Sequence, residues 1–112
     1  MTKKDSFHEF VMTEVFHDIE DITSRPMFGD YGVYKDGIFF ALIANGELYF
    51  KVDSSNQKDF ENLGSKPFVY KGHKGKSVTL SYWQLPADIM ENAEELKSWV
   101  EKSVSAAMSK KK

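Results

Sequence analysis

Two dipeptides, Asp36-Gly37 and Asn45-Gly46, constrain this chain more tightly than any other feature of it. Each suits the positive φ angles demanded at the centre of a tight hairpin turn, and each stands between apolar runs. Residues 31 to 53 therefore predict three antiparallel strands joined by two hairpins. In the third, Leu48, Phe50 and Val52 alternate with Glu47, Tyr49 and Lys51, so that strand buries one face and shows a more polar one. The second, Ile38 to Ala44, is apolar on both faces, which places it in the middle of the sheet or makes it part of a partner surface.

Helical patterns flank these strands. Ser6 and Glu9 have the spacing of a capping box, and Phe7, Phe10, Val11, Val15 and Ile19 follow the helical period, predicting a first helix from about residue 6 to 20. Its outer face carries Glu9, Glu14 and Asp18, a solvated surface that would also attract a basic partner. Ser54 with Gln57 repeats the capping spacing before Phe60 and Leu63, and Gly64 is placed to end that short helix. Phe68 to Lys71 and Ser77 to Leu85 predict a strand pair around a Gly72-His73-Lys74-Gly75 loop, stopped by Pro86. Asn92 with Glu95 opens a last helix whose apolar positions are Leu96, Trp99, Val100, Val104, Ala107 and Met108. The order helix, three strands, helix, two strands, helix fits an α+β two-layer sandwich with an antiparallel five-stranded sheet better than an alternating parallel fold. At 112 residues one domain is expected, with an ordered core over about 6–108 and a basic tail at 109–112.

Composition narrows the chemistry. Without cysteine there is no disulfide, thiolate zinc site or cysteine nucleophile, and no apolar run approaches the ~20 residues that cross a bilayer, so a cytoplasmic protein with no membrane partner is expected. A net charge of −2 gives no general attraction to nucleic acid. The exceptions are local: Lys66, Lys71, Lys74 and Lys76 with His73, and the tail Lys110 to Lys112. These form a solvated loop and a frayed terminus or, with Tyr70 or Trp83 as stacking surfaces, a nucleic-acid contact. His8 and His17 stand nine residues apart, about two and a half helical turns, and point to nearly opposite faces. Asp18, Glu20 and Asp21 cluster, but no second group is placed to split their pKa values. Gly29-Asp30-Tyr31-Gly32 has the spacing of a phosphate-clamping loop, yet Asp30 would repel phosphate. No catalytic set, metal site or cofactor site is predicted, and the chain is not expected to be an enzyme.

Residues 25 to 34, Arg-Pro-Met-Phe-Gly-Asp-Tyr-Gly-Val-Tyr, stand out for their alternation of glycine and aromatic residues between the first helix and the sheet. Gly29 and Gly32 permit close approaches that a Cβ would obstruct, while Met27, Phe28, Tyr31 and Tyr34 are suited to covering a sheet edge or to meeting a partner. Arg25, the one arginine beside fourteen lysines, suits a forked clamp on a carboxylate or on the glycine-turn carbonyls, or a partner contact. This stretch resembles the R-x-M-F-G-x-Y-G-x-Y signature of the TfoX/Sxy N-terminal domain family. Gly37 to Ile43, Leu48 to Asp53, Pro67 to Tyr70 and Ser81 to Pro86 resemble the family's later segments in the same order.

The resemblance implies a fold similar to the type III secretion chaperones and a part in regulating competence genes, alongside a transcription factor such as the cyclic-AMP receptor protein. Regulators of this kind carry a further C-terminal domain, so a sequence stopping at Lys112 is expected to be a stand-alone copy of the N-terminal domain. A non-enzymatic protein-interaction module is the leading expectation. Direct nucleic-acid binding through Lys66 to Lys76 and a small-molecule site of unknown ligand are the alternatives, and a homodimer is compatible with all three.

Overall fold

The computed structural model describes residues 3–27, 30–71 and 77–109. A first helix, α1 (Lys3–Phe10), runs into a π turn (Val11–Val15). Four strands follow, β1 (Ile22–Met27), β2 (Asp30–Lys35), β3 (Ile38–Ala44) and β4 (Glu47–Lys51). Then come α2 (Gln57–Asn62), β5 (Pro67–Lys71), β6 (Ser77–Gln84), α3 (Ala87–Met90) and α4 (Ala93–Ser109). The strands form one antiparallel sheet in the order β1-β2-β3-β4-β6-β5, so the described residues make six strands rather than the expected five.

The additional strand is β1, in the stretch expected to be a connection. Its sequence, Ile-Thr-Ser-Arg-Pro-Met, has little apolar alternation, because it lies at the sheet edge and gains its regularity from pairing with β2 rather than from burial. Pro26 is tolerated there because an edge strand has one side with no ladder to complete. The two hairpins form as their dipeptides require: Asp36 and Gly37 take φ of 53° and 82°, Asn45 and Gly46 take 55° and 74°. β3 lies between β2 and β4, inside the sheet, in keeping with its apolarity on both faces.

The first helix departs from expectation. It starts at Lys3, so Ser6 and Glu9 lie within it, and its α geometry stops at Phe10. Phe16 N–H then donates to the Val11 carbonyl at 3.0 Å, closing the wider turn. Val11 and Phe16, both buried, explain the change. Five residues of α-helix would set them roughly 140° apart, whereas a π turn brings them to within roughly 50° of each other. Phe16 thereby reaches Phe40 and Phe50, at ring-centroid distances of 6.0 and 6.4 Å, while Phe10, in the α part of the helix, is 46% exposed.

The helices gather over the sheet face that carries Val33, Ala41, Ile43, Leu48 and Phe50, and α4 crosses β3 and β4 with Leu96, Trp99 and Val100 buried. Asn92 Oδ1 accepts from Glu95 N–H at 3.1 Å, the cap its sequence implied, whereas Met108 ends the helix exposed and Ser103 and Ala106 take the buried positions. α2 sends Phe60 edge-on into Trp99 at 4.6 Å. Its entry is shaped by Asn56 rather than Ser54. Asn56, 1% exposed, accepts from Asp53 N–H and donates to the Lys51 carbonyl, tying the end of β4 to the helix.

Candidate interaction surface

The signature stretch divides between the two faces of the sheet. In the β1–β2 register Arg25 stands opposite Gly32, Pro26 opposite Tyr31 and Met27 opposite Asp30. Side chains alternate along each strand, so Tyr31 and Val33 point to the helices while Gly32 and Tyr34 belong to the other face. Tyr31 fastens α1 to the sheet: the His8 ring stacks on it at 3.6 Å and 6°, and His8 Nε2 lies 2.8 Å from Ser24 Oγ.

The opposite face is built around Gly32. A Cβ placed there would sit 2.9 Å from Met27 Cε and 3.0 Å from Phe39 Cε1, so the glycine lets both side chains close over bare backbone. Phe39 continues a row of rings, 5.2 Å from Tyr34 on one side and 5.6 Å from Tyr82 on the other. Two cations attend the row. Exposed Arg25 holds its guanidinium carbon 5.6 Å from the Tyr34 ring centre, and Lys51, only 5% exposed, holds its ammonium 5.2 Å from that of Tyr82. Burial, with a smaller effect from Tyr34, pushes the Tyr82 hydroxyl up to about 12. Farther along, Tyr49 meets Phe68 at 4.8 Å, and Gln84 donates to Glu47 at 2.6 Å. Burial and then the Glu47 charge raise the Tyr49 hydroxyl as well.

Such a face supplies aromatic rings and an exposed arginine, groups enriched where proteins meet, beside a buried lysine. Sequence reasoning singled out Arg25, Met27, Gly32 and Tyr34 from it, but not Phe39, Lys51 or Tyr82. The signal for Phe39 was the apolarity of β3 on both faces. Lys51 and Tyr82 carry no such local signal: Lys51 lies on the more polar side of β4, but Tyr82 keeps step with Val78 and Leu80 in β6, and only strand pairing sets the two opposite each other.

The other candidates are dispersed. His17 is exposed beside Asp18, 2.9 Å away, and the Glu20 and Asp21 carbonyls accept from Lys35 Nζ and Asp36 N–H. Asp21 holds a φ of 63° to make that turn. Among the described residues no three His, Asp or Glu side chains are grouped to hold a metal ion, and no helix is long and apolar enough to cross a membrane. Lys66 is exposed just before β5, where its carbonyl accepts from Gln84 N–H. Phe28, Gly29, His73, Lys74, Lys76 and the tail Lys110 to Lys112 lie outside the described residues, as do the side chains of Tyr70 and Lys71.

The chain is similar to Protein Sxy of Escherichia coli K12, with 29% identity over 92 residues, which is 80% of this chain and 43% of that protein. It thus spans less than half the length of this relative. Residues 14–107, from the π turn to the last turns of α4, match the family model of the TfoX N-terminal domain. The chain belongs to the TfoX N-terminal domain family.

Proposed function

We infer that this chain is a non-enzymatic protein-interaction module that acts, in the cytoplasm, as a co-regulator of competence genes. The observation that carries the reading is the family match over residues 14–107, since TfoX/Sxy membership fits a competence-related regulatory role and the family is regulatory rather than catalytic. The row of rings around Gly32 supports it as a surface able to hold another protein. By resemblance, the partner is a transcription factor such as the cyclic-AMP receptor protein.

A promoter-reporter strain lacking the gene tests this. Expression of a competence promoter is expected to fall in that strain and to return when the chain is supplied, and native affinity purification is expected to recover a transcription factor or a polymerase component. An unchanged reporter together with an empty purification overturns the reading.

Direct nucleic-acid contact is the second reading, favoured by exposed Lys66 next to Pro67, which stands opposite half-buried Trp83 across β5 and β6. A low-salt mobility-shift assay checks it. Binding that weakens steeply with salt and with Lys66→Ala supports it, and no shift at low salt removes it.

A further inference from the structure

On the helical side of the molecule a groove of about 470 Å³ opens between the π turn and the corner where α3 meets α4. Its floor is apolar: Phe10, Val15 and Ile19 come from one wall, Met90 and Leu96 from the other. Its rim carries exposed Glu14 and Asp18 on one wall and exposed Glu91 on the other; exposed His17, 2.9 Å from Asp18, also lines it, and no lysine or arginine does. Beyond Ile19 a neighbouring hollow is mixed in sign, with Lys35 and Lys97 set among Asp18, Glu20 and Glu101, whereas lysine and arginine are absent from the lining of the groove itself.

One wall of the groove is the irregular helix. The π turn points Val11 and Phe16 inward together, and Phe10, one position before Val11 and about 100° round the helix from it, lines the groove. Phe10, nearly half exposed, is not a lone surface ring there but part of a continuous apolar floor with Val15, Ile19 and Met90.

We propose that this groove docks a basic amphipathic helical segment of a partner protein. Carboxylates on both walls of an apolar floor call for an occupant with one apolar stripe and positive charge on both flanks, the pattern of a helix with apolar residues at i, i+3, i+4 and i+7 bordered by lysine or arginine. The volume lies within the range of ordinary binding pockets and accepts a few anchoring side chains. This proposal rests on the interaction-module reading and supplies the partner's chemistry and its docking site.

The test uses the full chain and a synthetic helical peptide with leucines at i, i+3, i+4 and i+7 flanked by lysines. Fluorescence anisotropy is expected to show saturable binding that weakens with salt, with amide shifts mapping to the π turn and the start of α4. The triple variant Glu14→Gln/Asp18→Asn/Glu91→Gln, all at exposed positions, is expected to weaken binding at least tenfold and to flatten the salt dependence. Phe10→Ser keeps every charge and is expected to weaken binding as well, which separates docking from simple adsorption of a cation. A peptide with serine in place of leucine is expected not to bind. Unchanged affinity in the triple variant, shifts that map elsewhere, or self-association of the chain through this groove would each overturn the proposal. The promoter reporter separates it from the broader reading: a triple variant that restores expression as well as wild type sinks the groove alone, whereas a reporter indifferent to the whole gene sinks both.

Discussion

At the scale of single residues, Gly32 makes the sharpest demand on the sequence. Its backbone is extended, so alanine fits the strand, but the added methyl must displace Met27 and Phe39. Gly32→Ala is expected to cost about 1 to 3 kcal/mol in urea denaturation. Trimming Met27 to alanine in the same chain should recover part of that loss, and strictly additive costs would show that the crowding is not the cause. Tyr82 leaves a different trace. Its hydroxyl ionises at about 12 in the folded chain against 10.0 for a free tyrosine, so the folded state holds the proton longer and the stabilisation it gives is complete below pH 10.0. That stabilisation is lost as pH rises from 10.0 to about 12. Thermal melts across this window should fall more steeply for the wild type than for Tyr82→Phe, and parallel curves would refute the assignment.

Among the elements, the hairpins and α4 were legible because their signals are local. Positive φ at Asp36-Gly37 and Asn45-Gly46, and the Asn92 cap, depend on residues a few positions apart. β1 was illegible because nothing within it forces a strand; its order comes from pairing with β2. The π turn was hidden for a related reason. Phe7, Phe10, Val11, Val15 and Ile19 satisfy an α pattern, and only the need to bury Phe16 against Phe40 and Phe50 selects the wider turn. On the candidate surface the same limit applies: the signature named the residues of β1 and β2, while Lys51 and Tyr82 join the row through strand pairing that no local pattern encodes. The junction between β4 and α2 offers a test at this scale. Asn56→Ala removes two hydrogen bonds from a buried position and is expected to cost about 2 kcal/mol. Ser54→Ala, at the position where the capping spacing pointed, is expected to change stability by less than about 0.5 kcal/mol. Equal losses in urea titrations would contradict the structure.

For the molecule as a whole, the strand order carries a consequence in time. β1 to β4 are neighbours both in sequence and in the sheet, so they form a meander from short loops, but β6 has to enter between β4 and β5. Until residues 77–84 arrive, β4 is an open edge, and until Leu96, Trp99 and Val100 follow, the core over β3 and β4 is only partly covered. A chain cut after Glu91 is therefore expected to accumulate in the insoluble fraction on expression, and a soluble truncated chain with a cooperative melt would contradict this. The ribosome delivers this domain in an order that withholds its lid, α4, until every strand has been made, so the half-made sheet is the form most in need of a chaperone's grip.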